Sequence, residues 1–280
     1  MQNVTELLID SEFEAGLKAG AGDKPDLVKA RVNWLKLRLS QKSHGYPPFL
    51  TAPEGNLKLD KATAPSYGLT LQHYVQKMSN GLTINACPSA GDCTKVCVLD
   101  NGHGRFDTVQ QARRLRTEFL VRSPFYAGVL IGHEIKLAVK KWGKILFRPN
   151  VNSDVEWHLV APTLTEGTLF GHTVHSYGYS KLPSVLKGDV DTDHYTVAYS
   201  ASEKSDWAEI DRFLEAGGNV AVVTSRKPKT PIHQWHPIGK VVDADKTDEW
   251  MLEGKGIIGD LSAKGKARHL IGVSKFVKEI

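Results

Sequence analysis

The sequence predicts an α/β fold built on a parallel sheet, in the form of a (β/α) barrel of the TIM type. It is irregular or incomplete in its last turns and follows an N-terminal cap of helix and loop. Three observations predict it. Extended runs at 82–86, 144–150, 169–179, 195–200, 219–224, 240–244 and 256–261 recur, several separated by amphipathic helical stretches, the rhythm of a parallel sheet. Runs such as NVAVVT (Asn219–Thr224) are apolar throughout, as suits strands covered on both faces. Polar residues gather where successive runs end, as they do at the carboxyl rim of a barrel. An open doubly wound sheet would share the first two features, and the repeated polar ends favour the barrel.

In chain order, residues 24–41 carry Leu27, Val28, Val32, Leu35 and Leu39 near helical spacing, and the pattern stops at the turn-forming stretch 45–48. From Tyr46 to about Asn80 the chain is rich in Pro, Gly and turn residues, with one strand-like piece at 67–74. Residues 1–80 are therefore assigned to the cap and 81–280 to the barrel. The clearest helices are 108–121, 123–142 with Ser123 as N-cap and Pro124 in the first turn, and 205–216 ended by Gly217-Gly218, each with the start and stop chemistry helices prefer.

Composition bounds the class. The 280 residues are 41% hydrophobic, 24% charged and 8% aromatic, enough apolar material for a sizeable core. The opening MQNVTELLIDSEFE is acidic where a secretory leader is basic then apolar, and no apolar run approaches a membrane span, so a cytoplasmic protein without membrane contact is expected. The net charge of +5 and pI near 8.9 are mild, with basic residues scattered at 136–144, 227–229 and 264–268. A solvated surface accounts for them better than a nucleic-acid groove.

All three cysteines fall within eleven positions, Cys87, Cys93 and Cys97, spaced C-x5-C-x3-C. A disulfide would leave an odd thiol and suits small secreted frameworks. Three unrelated core cysteines would not cluster so tightly. Thiolates select zinc, cuprous copper or iron–sulfur clusters. In a 4Fe–4S cluster three cysteines leave one iron open; in a zinc site, His103 completes a three-Cys, one-His tetrahedron. His103 sits in GHGR (Gly102–Arg105), whose glycines allow close backbone approach to a cluster or ligand.

The rim supplies the remaining candidates. In KILFRPNVNSD, alternation puts Leu146, Arg148 and Asn150 on one face, followed by Asn152, Ser153 and Asp154. In HTVHSYGYSK, His175, Tyr177, Tyr179 and Lys181 share a face. Later runs end in Ser200 and Ser202, in Thr224 and Arg226, in Asp243, Asp245 and Asp248, and in Asp260, Ser262 and Lys264. Arg148, pointing inward, needs an anionic partner: a ligand, Asp154, or the group of Asp243 and Asp245. His172 and His175 point to opposite faces, and His233 and His236 are read as packing or surface residues. No Ser-His-Asp spacing, nucleophile elbow, phosphate loop or dinucleotide fingerprint is present.

Several stretches, FLTAPEGNLKL (Phe49–Leu59), ACPSAGDCTKVCV (Ala86–Val98), QQARRLRTEFL (Gln110–Leu120), RPNVNSD, SYGYSK, VVDADKTDEW (Val241–Trp250) and GIIGDLSAKGKA (Gly256–Ala267), resemble a phage-borne family known as gene product eighty-eight. The resemblance implies a phage or mobile-element origin. In architecture the chain also resembles radical S-adenosylmethionine enzymes, in which three cysteines after the first barrel strand hold a 4Fe–4S cluster and the cofactor chelates its free iron. The usual motif there is C-x3-C-x2-C with an aromatic before the last cysteine, whereas this chain has Val96 in that place.

Three functions are open. The first is a radical enzyme with S-adenosylmethionine and an electron donor, in which Arg148, Asn150 and Asp154 orient cofactor or substrate opposite Tyr177, Tyr179 and Lys181. The second is a hydrolase or hydratase in which the open iron is a Lewis acid and Asp154, Asp243 or Lys181 moves a proton. The third is a ligand-binding protein with a structural cluster or zinc. All three expect a small polar or anionic ligand.

Overall fold

The computed structural model describes residues 1–23, 26–39, 48–55, 57–97, 102–188 and 190–280. Among the described residues the strands are β1 (Gln2–Asn3), β2 (Ser66–Gly68), β3 (Val75–Lys77), β4 (Thr83–Asn85), β5 (Ile145–Arg148), β6 (Val174–Ser180), β7 (Tyr195–Ser200), β8 (Val220–Thr224), β9 (Lys240–Asp243) and β10 (Ile257–Ser262). Seven form one sheet in the order β2-β5-β6-β7-β8-β10-β9, and every neighbouring pair is parallel. The protein is thus a mixed α/β fold on a parallel sheet, as the alternating pattern predicts.

Closure into a barrel is not shown. Among the described residues no pairing joins β2 to β9, and β10 sits between β8 and β9, out of sequence order. The edge at β2 is occupied by a short antiparallel bridge in which Thr51 N–H donates to the Gly68 carbonyl at 2.7 Å and Gly68 N–H returns to Thr51 at 2.9 Å.

Alternation along the strands sorts the core into two layers. Ile145 and Phe147 of β5, Val197 of β7 and Val220 and Val222 of β8 pack with the helices in the main cluster. Leu146, Tyr177, Ala198 and Ala221 form a second cluster with Trp250 and Met251 from the 3-10 turn Asp248–Leu252. Small residues on β7 and β8 make room for the large side chains of that turn.

The helix 13–21 crosses the helix 124–142 at backbone contact. Gly16 and Gly20 face Phe125 and Val129, and Gly128 and Gly132 face Phe13 and Leu17. A methyl group at Gly128 would lie 2.3 Å from the Phe13 carbonyl oxygen, so only glycine permits this approach. The helices at 108–121, 123–142 and 205–216 are found as Asp107–Arg122, Pro124–Trp142 and Trp207–Glu215. The lead-in helix is Leu27–Leu39; residues 24, 25, 40 and 41 of that expectation lie outside the described residues. No described helix is long and apolar enough to cross a membrane.

Three strand expectations are corrected. The run 82–86, expected to be the first barrel strand, belongs to a separate three-stranded sheet ordered β1-β4-β3. The turn through Asn80 and Gly81, with Gly81 at φ +86°, folds β4 back antiparallel on β3. The run 169–179 enters the sheet only at Val174, because a 3-10 turn at Gly171–Thr173, opened by Gly171 at φ +56°, interrupts it. Of the piece 67–74, only the part within Ser66–Gly68 pairs in the main sheet.

Candidate functional site

The carboxyl ends of the parallel strands open on a cavity of about 320 Å³. Strands β5 to β10 all contribute to its walls, themselves or through the residues just after them, together with the cysteine segment and Phe276 near the C-terminus. Cys87, Cys93 and Cys97 all line it.

The cysteine segment is built as a tight local fold. The Cys87 N–H donates to Asn85 Oδ1 at 2.8 Å as β4 ends. The carbonyl of Cys87 accepts from Ala90 N–H at 3.2 Å, and Cys93 stands in the 3-10 turn Gly91–Val96. Gly91 has φ +53°, and any side chain there would strike Glu203, which also accepts the Asp92 N–H at 3.1 Å. On the other side, Ser274 donates to Asp92 Oδ2 at 2.6 Å, so the segment is tied both to the loop after β7 and to Ser274. Cys93 packs against Val96, Ala267 and Phe276.

All three thiols are half-buried. Burial pushes the Cys87 thiol up to about 12, and the nearby Asp154 carboxylate adds to the rise. Cys87 Sγ donates to the Asn152 carbonyl at 3.7 Å. Among the described residues no trio of His, Cys, Asp or Glu side chains converges on the position of a single metal ion. The backbone of His103 lies in the 3-10 turn Gly102–Arg105, and its side chain lies outside what the structure describes.

Asp154 is the least neutralised acid of the cavity. Its Oδ2 accepts the Lys181 N–H at 2.9 Å, while its buried Oδ1 has no hydrogen-bond partner. Burial pushes this carboxyl up to about 6 against the lowering influence of Ser180 and Lys181. Lys181 reaches Ser200 Oγ with its Nζ, which also stands 5.7 Å from the centre of the Phe276 ring.

Arg148 is committed elsewhere. Its guanidinium pairs with Asp248, a residue of the 3-10 turn whose Trp250 and Met251 pack on the sheet, rather than with Asp154, Asp243 or Asp245. It also lies 5.1 Å from the Tyr179 ring centre and 6.0 Å from that of Tyr177. Burial opposes its charge, and the facing carboxylate of Asp248 outweighs that and holds its pKa up. Tyr179 donates to Asp248 Oδ1 at 2.7 Å and accepts from the Trp250 indole at 3.0 Å, and burial drives its phenol well above the ordinary range. Both Arg148 and Tyr179 line the cavity, as part of its inner wall.

Asn150 lines the cavity but spends its amide on its own loop. Nδ2 donates to the Val155 carbonyl at 2.9 Å, and Oδ1 accepts from Ser153, Val155 and Trp157. Tyr177 lies outside the cavity lining, fully buried, with its hydroxyl 2.9 Å from Ser66 Oγ. Asp243 is likewise outside the lining and accepts from Arg226 at 3.2 Å.

Asp245 occupies the rim where Asp243 was expected. It takes Ser262 Oγ at 2.5 Å, Lys264 at 2.7 Å and Arg226 at 3.2 Å. Arg226 also pairs with the fully buried Asp260, which binds Thr224 and Trp235 as well. Sequence reading placed Arg226, Asp245 and Asp260 at strand ends without seeing that they neutralise one another. It missed Phe276 and the Ser274 tie, which local pattern in the stretch IGVSKFVKEI does not mark. His172 stacks on His194, whereas His175 bonds Thr196 Oγ1 at 2.9 Å. His236 packs against Trp207 and Trp235 beside Asp211.

No curated protein and no solved structure matches the chain. The family model described as gene product 88 matches residues 49–275, a span that contains the cysteine segment, every strand of the main sheet and Arg148, Asp154 and Lys181. The chain belongs to the gene product 88 family.

Proposed function

We propose that Cys87, Cys93 and Cys97 hold a 4Fe–4S cluster in the rim cavity and that the chain is a cluster-dependent enzyme acting there on a small polar or anionic substrate. The observation that carries this reading is that three thiols from one short segment open into the same cavity as a buried carboxyl with a spare oxygen. The donor set suits the group, since soft thiolates bind iron–sulfur clusters as they bind zinc and cuprous copper. When bound, such a cluster supplies an iron free of protein sulfur, able to act as a Lewis acid or, reduced, as an electron source.

The chain's own residues do the rest. Asp154, with a carboxyl near 6, holds or accepts a proton at Oδ1 close to neutral pH, the range a general acid or base needs. Lys181 and Ser200 offer donors to a polar ligand. Arg148, Tyr179 and Asp248 fix the inner wall, and Phe276, Val96 and Ala267 limit water on the outer one. This division favours hydrolysis or hydration.

A second reading adds S-adenosylmethionine and an electron donor for radical chemistry, and the position of the thiols at the carboxyl ends of parallel strands favours it. The cysteines follow a strand of the small sheet rather than of the main one, which departs from the radical enzymes' plan. A phage-encoded chain would act in the host cytoplasm. The paramagnetic spectrum of reduced protein, prepared without oxygen, tests both readings. A signal unchanged by S-adenosylmethionine supports the first, a cofactor-dependent change supports the second, and no cluster signal after reconstitution contradicts both.

A further inference from the structure

The cavity's charged groups are held in ion pairs except for Asp154 and Lys181, which meet through the Lys181 backbone N–H. Arg148 faces Asp248, and Lys264 faces Asp245, which Arg226 also holds. Among the described residues, Lys181 has no carboxylate within ion-pair distance, and its Nζ meets only the neutral Ser200 hydroxyl and the face of Phe276. Its backbone is fixed by the Asp154 carboxylate at 2.9 Å, so the side chain leaves a rigid point on the rim. An ammonium and a hydroxyl side by side in a partly apolar cavity make a recognition point for an oxyanion, because a charge-assisted hydrogen bond gains strength where water is excluded.

We propose that Lys181 and Ser200 form the subsite for a single oxyanion group of the substrate, a carboxylate or a phosphate. This deepens the reading of the cavity as the substrate site and rests on it. The substrate's anionic end sits on Lys181, beside Asp154, and the rest of the molecule extends toward the cysteines.

Calorimetric titration of the whole chain with acetate and, separately, with inorganic phosphate tests this, on protein whose iron content is measured first. Saturable binding of one or both is expected, and the tighter of the two identifies the group. Lys181→Met is expected to weaken that binding at least tenfold, and Lys181→Arg to retain most of it. Lys240→Met, the same charge change at the amino end of β9, is expected to leave it unaltered. Thermal melts establish that each variant is folded; if Lys181→Met does not fold, Ser200→Ala serves, with weaker binding expected. No saturable binding to wild type, or equal affinity in wild type and Lys181→Met, overturns the proposal. Iron-free protein that still binds the anion through Lys181 upholds this subsite while sinking the cluster.

Discussion

The N–H of Asp154 donates to the carbonyl of Ala86 at 2.7 Å, which fastens the loop after β5 to the residue immediately before Cys87. One backbone bond therefore couples the acid of the cavity to the first thiol. Together with the Cys87 to Asn152 contact, it places the small sheet's last strand against the rim of the main one.

The Arg148 and Asp248 pair predicts a large stability effect. Arg148→Met would strand a buried carboxylate, and removal of one partner of a buried pair costs about 3–5 kcal/mol. Denaturant unfolding of Arg148→Met and of the double variant with Asp248→Asn measures it, and the double variant is expected to recover much of the loss. A single-variant change below about 1 kcal/mol would show that the pair is not structurally coupled.

Gly128→Ala tests the glycine crossing of the helices 13–21 and 124–142. A methyl at 2.3 Å from a backbone oxygen forces the helices apart, and overpacking of this kind costs about 1–3 kcal/mol. A lowered melting temperature is expected; an unchanged one would contradict the close approach.

Stability should fall as pH rises from about 4 toward 7. Glu134 accepts the N–H groups of Phe49 and Leu50, both at 2.8 Å, and burial pushes its carboxyl up from 4.5 to about 7. Burial likewise lifts Asp154 from 3.8 to about 6. A carboxyl whose folded value lies above its unfolded one contributes stability that is fully present below the unfolded value and is lost as pH rises through the folded one. Between about pH 4 and 7 each group contributes a slope of at most about 1.4 kcal/mol per pH unit. Unfolding free energies of wild type, Glu134→Gln and Asp154→Asn across this range check it: each variant should flatten the profile, and a parallel profile would remove that group from the account.

Much of the fold was legible because long periodic segments declare themselves. The run Asn219–Thr224 and the helix Pro124–Trp142 carry their patterns locally. What the sequence hid is set by distant partners. Thr83–Asn85 has the look of any short strand, and only its pairing with Val75–Lys77 and Gln2–Asn3 assigns it to the small sheet. The polar strand ends were visible, but their division into wall and site was not. Arg148 and Asp243 look as available as Lys181 until Asp248 and Arg226 are seen to occupy them.

The central claim is a cluster held by three thiols, and iron and acid-labile sulfide counted in protein purified without oxygen measure it most directly. Wild type is expected to hold about four of each per chain, and Cys93→Ala to lose them along with melting temperature, since a group bound only by the folded chain adds to its stability. Colourless wild-type protein that takes up neither element on reconstitution, or a Cys93→Ala variant with its iron intact, would contradict the account.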